Sequence, residues 1–192
     1  MNSKYTRMLV FVFILGIFTA AVLVGMDYLT ADRIQANEEV ELKSAVLDAY
    51  RIEYTLNDVN DIFDSSVEII EKDGLIFYQD RDTGAISFEF EGGGVWGPIT
   101  GMLTLEDDFE TIQSVAIFEQ EETPGLGGRI TEQAYLDSFI GKRIYPEILI
   151  RKDSAENDDN EVDTISGATR TSEAFETILN DNYGRHRDAW VE

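Results

Sequence analysis

The chain has 192 residues, enough for one domain with a real core and an anchor beside it. Its 38 acidic against 15 basic residues give a net charge of −23, which excludes nucleic-acid binding through a basic face and fits a strongly solvated exterior. With no cysteine and one histidine, His186 in a polar tail, it has no disulfide or iron–sulfur ligands, too few groups for a zinc or haem site, and a poor basis for Ser-His-Asp hydrolysis, so no catalytic residue and no metal ligand is assigned.

Residues 1–7 form a short basic start, with Lys4 and Arg7. Residues 8–26, Met8 to Met26, are an uncharged apolar run that as a helix covers roughly 28 Å, the thickness of a bilayer core. Asp27 and Asp32 follow, so the positive-inside rule puts the N-terminus in the cytoplasm and the remainder outside. A cleaved signal peptide is the competing reading, but the run exceeds the usual signal core of about 7–15 residues and no small-x-small site closes it. A retained single-pass anchor is therefore expected. Residues 27–52 read as a helical neck, with Leu42, Ala45, Val46 and Ala49 on one face and Glu39 four residues before Lys43.

Residues 53–192 carry mostly strand signals first and helices later. Val67–Glu71 and Leu75–Tyr78 flank the turn Lys72-Asp73-Gly74, and Ala85–Phe90 follows Asp82-Thr83-Gly84. Gly92-Gly93-Gly94 is expected to break the sheet. Ile99–Leu105 and Ile112–Phe118 form a second hairpin around Glu106–Phe109. Thr131–Ile140 looks helical, closed by Gly141, and Ile148–Ile150 is a short buried strand. The order predicts an α+β fold: an antiparallel-rich sheet with flanking helices, preceded by one transmembrane helix. The acidic stretch 153–163 lacks the glycine and flanking helices of an EF-hand and reads as a solvated loop.

Three short segments carry chemistry. Asp163-Thr164-Ile165-Ser166-Gly167-Ala168-Thr169 puts a hydroxyl just before Thr171–Leu179, a predicted helix that Thr171 or Ser172 can cap. A helix start offers unpaired N–H groups and partial positive charge, and Gly167 and Ala168 leave room for a bulky anion, so a phosphate held by, or bonded to, Thr169 is one reading. The other is that the Thr169 hydroxyl merely caps. Glu122-Thr123-Pro124-Gly125-Leu126-Gly127-Gly128 is either an ordinary turn or the wall of a ligand site, with Leu126 against a flat ring and Glu122 and Thr123 as hydrogen-bonding groups. Trp96, in Gly94-Val95-Trp96-Gly97-Pro98-Ile99, either stacks on that ring or fills the core.

The Asp-x-x-Ser-Gly-Ala-Thr run resembles the flavinylation motif of the FMN-binding domains in the G subunit of Rnf and the C subunit of Nqr, two membrane redox complexes. The Glu122–Gly128 run is similar to the family's Glu-Thr-Pro-Gly-Leu-Gly loop, which lies beside the flavin ring. Gly94–Ile99 is a looser match to a Gly-x-Trp segment before the flavin-binding core. The matches occur in the family's order and span about residues 92–180. The resemblance implies FMN joined by a phosphoester to Thr169 by a flavin transferase that cleaves FAD. It also implies cofactor contacts from Asp163, Ser166, Gly167, Ala168, Trp96, Glu122, Thr123, Leu126 and Gly127. Lys142 and Arg143 could meet the phosphate or the reduced ring, or lie solvated after a helix end, and Asp163 could face the Mg²⁺ of the modifying enzyme.

Residues 53–192 then form an extracytoplasmic FMN-binding domain. The function implied is electron carriage, as a subunit among the other membrane subunits of a redox-driven ion pump linking reduced ferredoxin or NADH to NAD⁺ or quinone. The short chain suits the Rnf type and the Gly-x-Trp segment the Nqr type. The alternatives are a standalone anchored flavoprotein feeding an extracytoplasmic reductase or acceptor, and an acidic anchored binding module without redox chemistry.

Overall fold

The computed structural model describes residues 3–152 and 158–191 and divides the chain into two compact units, 1–40 and 41–192. The first unit consists of most of helix α1, Ser3–Ala49. Its side chains from Met8 to Met26 are exposed on every side, so the helix is apolar all round and long enough to cross a membrane. Within the run the Thr19 hydroxyl donates to the Leu15 carbonyl at 2.8 Å, so the helix itself satisfies its polar group. No helix break separates the apolar run from the expected neck, because the segment from Asp27 to Ala49 holds no Gly or Pro.

The second unit is built on an antiparallel meander, β1 (Val67–Lys72), β2 (Leu75–Asp80), β3 (Ile86–Gly93), β4 (Pro98–Leu105) and β5 (Ile112–Gln120), neighbours in that order. The fold is α+β, as the sequence predicts. Lys72 pairs with Leu75 across Asp73 and Gly74, whose φ values of 51° and 76° make the primed turn that a two-residue hairpin requires. The expected break at Gly92–Gly94 comes late: β3 runs through Gly93, and the chain turns at Gly94, whose N–H donates to the Gly97 carbonyl at 2.8 Å. Gly92 lies in the strand where the C-terminal helix packs on it; a Cβ there would come within 2.5 Å of Ile178.

Alternation in β3 sends Ile86, Phe88 and Phe90 to one face and Ser87, Glu89 and Glu91 to the other. The first face packs on helix α4, Thr169–Val191. Phe90 meets Phe175 at 5.9 Å between ring centroids, and Phe88 stacks on His186 at 4.0 Å. His186 is therefore a core residue, not a tail residue; burial pushes its imidazole pKa down, and its Nδ1 lies 2.7 Å from the Asn182 carbonyl. The opposite face is covered near Tyr78 by the end of α1 (Val46, Leu47) with Tyr50 just after it, and by α2 (Val59–Ser66), with Phe63 6.0 Å from the Tyr78 ring. There Ser87 donates to the Tyr50 hydroxyl, which donates to the Tyr78 carbonyl; Thr104 lies 2.8 Å from Ser87.

Three elements differ from the sequence reading. Thr131–Ile140 is not one helix but a 3₁₀ turn (Gly127–Thr131), a single α turn α3 (Gln133–Leu136) and another 3₁₀ turn (Asp137–Phe139), ending at Gly141 with φ 78°. β6 (Leu149–Arg151) has a parallel partner, β7 (Glu161–Asp163), hidden in the acidic stretch, whose residues 153–157 lie outside the described residues. Helix α4 starts at Thr169 and runs to Val191, far past Leu179. The Asn180 amide bonds both N–H and C=O of Ile148, and Asn182 Nδ2 donates to the Glu91 carbonyl, so tertiary bonds hold the helix through weak helix formers.

Candidate functional site

Strand β7 leads directly into the Ser-Gly-Ala-Thr turn. The Thr164 N–H donates to the Arg151 carbonyl, extending the β6–β7 pairing by one rung, and the Ile165 N–H donates to the Ser172 hydroxyl. Gly167 reverses the chain at φ 82°, a conformation that suits only glycine without strain. The Ala168 carbonyl accepts the Ser172 N–H, so Ala168 occupies the cap position and α4 begins one residue later. Neither Thr171 nor Ser172 caps the helix. Ser172 is buried beneath the turn, and the Thr171 hydroxyl donates to Glu122 Oε2 at 2.7 Å. Thr169 is exposed at the first helical position, where the leading N–H groups have no carbonyl one turn back.

The second segment folds into a turn that its residues dictate. Thr123-Pro124-Gly125-Leu126 has proline at the second position, glycine at the third with φ 74°, and a Leu126 N–H to Thr123 C=O bond of 3.1 Å, the pattern of a type II turn. It carries Leu126 over the motif: a Cβ on Gly167 would lie 3.3 Å from Leu126 Cδ2. Leu126 remains 47% exposed. Trp96 is 70% exposed, which excludes the core reading for it.

These segments border one groove of about 350 Å³, lined by Val95, Trp96, Glu122, Thr123, Leu126, Gly127 and the run Gly167–Thr171. Of the expected site residues, Trp96, Glu122, Thr123, Leu126, Gly127, Gly167, Ala168 and Thr169 face it; Asp163, on β7, and Ser166, exposed in the turn, do not. Arg170, Thr171 and Val95 line it without having been singled out for it, and Arg170 is the cation of the lining. The signal for Arg170 was its place beside Thr169. Lys142 and Arg143 are elsewhere: Lys142 Nζ donates to the Asp158 carbonyl at 2.9 Å, and Arg143 pairs with Glu110. Glu122 is 4% exposed and accepts from the Val95 and Trp96 N–H groups and the Thr171 hydroxyl. Its carboxylate is engaged by the protein, not held open toward the groove.

An exposed hydroxyl at a helix start, two exposed apolar side chains and an arginine make a groove suited to a flat ring with an anionic tail. Residues 94–183 match the family model of the FMN-binding domain. They belong to that family. The chain is similar to the C subunit of the Na⁺-translocating NADH-quinone reductase of Vibrio alginolyticus, 38% identical over 87 residues, covering 42% of this chain and 34% of that one. It is also similar to the C subunit of the Neisseria meningitidis reductase, 30% identical over 107 residues, covering 53% of this chain and 42% of that one. The chain thus matches less than half the length of these relatives. Among solved structures, Shewanella oneidensis NqrC superposes with a TM-score of 0.69 at 23% identity, covering 77% of this chain and 93% of that one. The C subunit of the Parabacteroides distasonis reductase gives 0.63 at 21%, covering 77% and 89%. At that identity the likeness establishes a shared fold.

Proposed function

We propose that this chain is a single-pass, membrane-anchored electron carrier with FMN joined by a phosphoester to Thr169, working as a subunit of an Nqr-type or Rnf-type redox-driven ion pump. The observation that carries the reading is the convergence of three separate segments on one groove with the exposed Thr169 hydroxyl at its helix-start end. Attachment requires that the Thr169 Oγ replace AMP on the FMN-side phosphorus of FAD, losing its proton as AMP leaves; a flavin transferase supplies that step. Bound FMN supplies one- and two-electron chemistry. The chain's residues do the rest. The leading N–H groups of α4 and the Arg170 guanidinium stabilise a phosphodiester anion. Trp96 and Leu126 flank the ring and exclude water. Gly167 and Ala168 keep side chains away from the phosphate.

Lys4 and Arg7 before the apolar run set the N-terminus in the cytoplasm and the domain outside, where a covalent bond prevents cofactor loss. The test is co-expression with a flavin transferase followed by denaturing electrophoresis. The wild-type band fluoresces as a flavoprotein and the Thr169→Ala band is dark. A fluorescent Thr169→Ala band, or a dark wild-type band, overturns the attachment. A phosphatase fused after Glu192 is active outside the cytoplasm; activity confined to the cytoplasm overturns the orientation.

A further inference from the structure

We propose that Glu122 is the positioning residue of the groove: its buried carboxylate links the Trp96 loop to the start of α4 and so sets the spacing between ring wall and attachment point. Oε1 accepts the Val95 N–H at 2.6 Å and the Trp96 N–H at 3.2 Å, while Oε2 accepts the Thr171 hydroxyl at 2.7 Å. Its own N–H is tied to Gln120 Oε1 at 2.7 Å. Three donors converge on the carboxylate, an arrangement that suits an acceptor-only group. Bonds to a charged acceptor are roughly twice as strong as neutral ones, and here both ends hold exposed groups that the core does not fix. Trp96 is exposed and follows three glycines; Thr169 and Arg170 are exposed at a helix start.

Two glycines fit this role. Neither Gly94 nor Gly127 has positive φ, so backbone freedom does not explain them. Space does. A Cβ on Gly94 would come within 2.5 Å of Glu122 Oε1, and one on Gly127 within 2.7 Å of Oε2 and 2.5 Å of Thr171 Oγ1. The glycines of two motif segments thus make room for one carboxylate, and the first turn of α4, just after the third segment, supplies its hydroxyl donor. Thr171, 5% exposed and occupied by this bond, is unsuited to modification, whereas Thr169 is free to react.

The consequence for a flavin rests on the proposed function, but the linkage does not, so the test starts on the flavin-free chain. Amide hydrogen exchange at Val95 and Trp96 is compared in wild type, Glu122→Gln and Thr171→Val, with Leu103 in β4 as the internal reference for an intact core. Glutamine keeps the shape and removes the charge; valine keeps the shape and removes the distant donor. In each variant the Val95 and Trp96 amides exchange about tenfold faster while Leu103 is unchanged. Wild-type rates at Val95 and Trp96 in either variant overturn the linkage. In the flavin-loaded chain, Glu122→Gln raises the midpoint potential, because removing a buried negative charge from the groove wall favours the more negative reduced ring. An unchanged potential overturns the electrostatic part. A chain that takes up no FMN refutes the proposed function and leaves the exchange result standing.

Discussion

The two ends of α4 do opposite work. At the start, Thr169 and Arg170 are exposed, bury nothing and make none of the core contacts. From Thr171 onward the helix becomes structural: Ser172, Phe175, Ile178, Leu179, Tyr183, His186 and Ala189 are buried, and Trp190 lies 5.5 Å from Phe109 and 5.1 Å from Phe77. The difference teaches where each kind of change should register. Side chains at the start are dispensable for folding and indispensable for the groove; those at the end are the reverse.

The sharpest break in that comparison comes from Thr169→Ala. It abolishes covalent flavin and leaves thermal unfolding within about 0.5 kcal/mol of wild type, as expected for an exposed position; intact mass and calorimetry on the same sample check both. Phe88→Ala does the opposite. Phe88 is fully buried, stacked on His186 and 6.0 Å from Phe109, so its loss destabilises the domain by about 3–5 kcal/mol while Thr169 still accepts flavin below the melting point. Denaturant titration with a flavin fluorescence assay separates the two effects. Leu126→Ala, on the groove wall, retains attachment and shifts the potential; about 30 mV in a two-electron couple corresponds to 1.4 kcal/mol of differential stabilisation. Identical potentials and spectra would remove the Glu122–Gly127 turn from the ring site.

Smaller still is Tyr183→Phe, which deletes a buried hydroxyl bond to the Phe109 carbonyl at 3.1 Å and costs about 1 kcal/mol with no effect on the flavin. The last effect is a pH slope. Burial holds the His186 pKa below its ordinary value, so the unfolded chain takes up a proton that the folded chain refuses. Stability from this group is complete above the unfolded pKa near 6.5 and falls as pH drops below it. Urea midpoints between pH 7 and pH 5 should lose that part of their slope in His186→Phe.

Much of the site was legible because its residues have few other reasons to be there. Pro124 and Gly125 name a type II turn, and Gly167 marks the positive φ before α4. The hairpins were legible from alternation and from Asp73-Gly74. What escaped was whatever tertiary contact decides. A three-residue strand such as Glu161–Asp163 is too short to show a period, and it sits among acids. The predicted helix stops at Leu179, before Asn180-Asp181-Asn182 and Gly184, yet the asparagine amides bond Ile148 and β3 and carry α4 onward. In α2, Val59 and Phe63 are the buried residues, a single i,i+4 pair set, with half-buried Ile62, among Asn, Asp and Ser. The partner of Glu122 could not be read either, since Thr171 looked like a cap and the bond joins residues far apart in the chain.

The measurement that bears most directly on the central claim is tryptic peptide mapping of the chain co-expressed with a flavin transferase. Trypsin cleaves after Lys152, Arg170 and Arg185, so Thr169 and Thr171 fall in different peptides, 153–170 and 171–185. The account predicts the mass of one FMN less one water on 153–170, with the fragment series placing it on Thr169, and an unmodified 171–185. An FMN adduct on 171–185, or a fully unmodified 153–170 from cells that contain the active transferase, would contradict it.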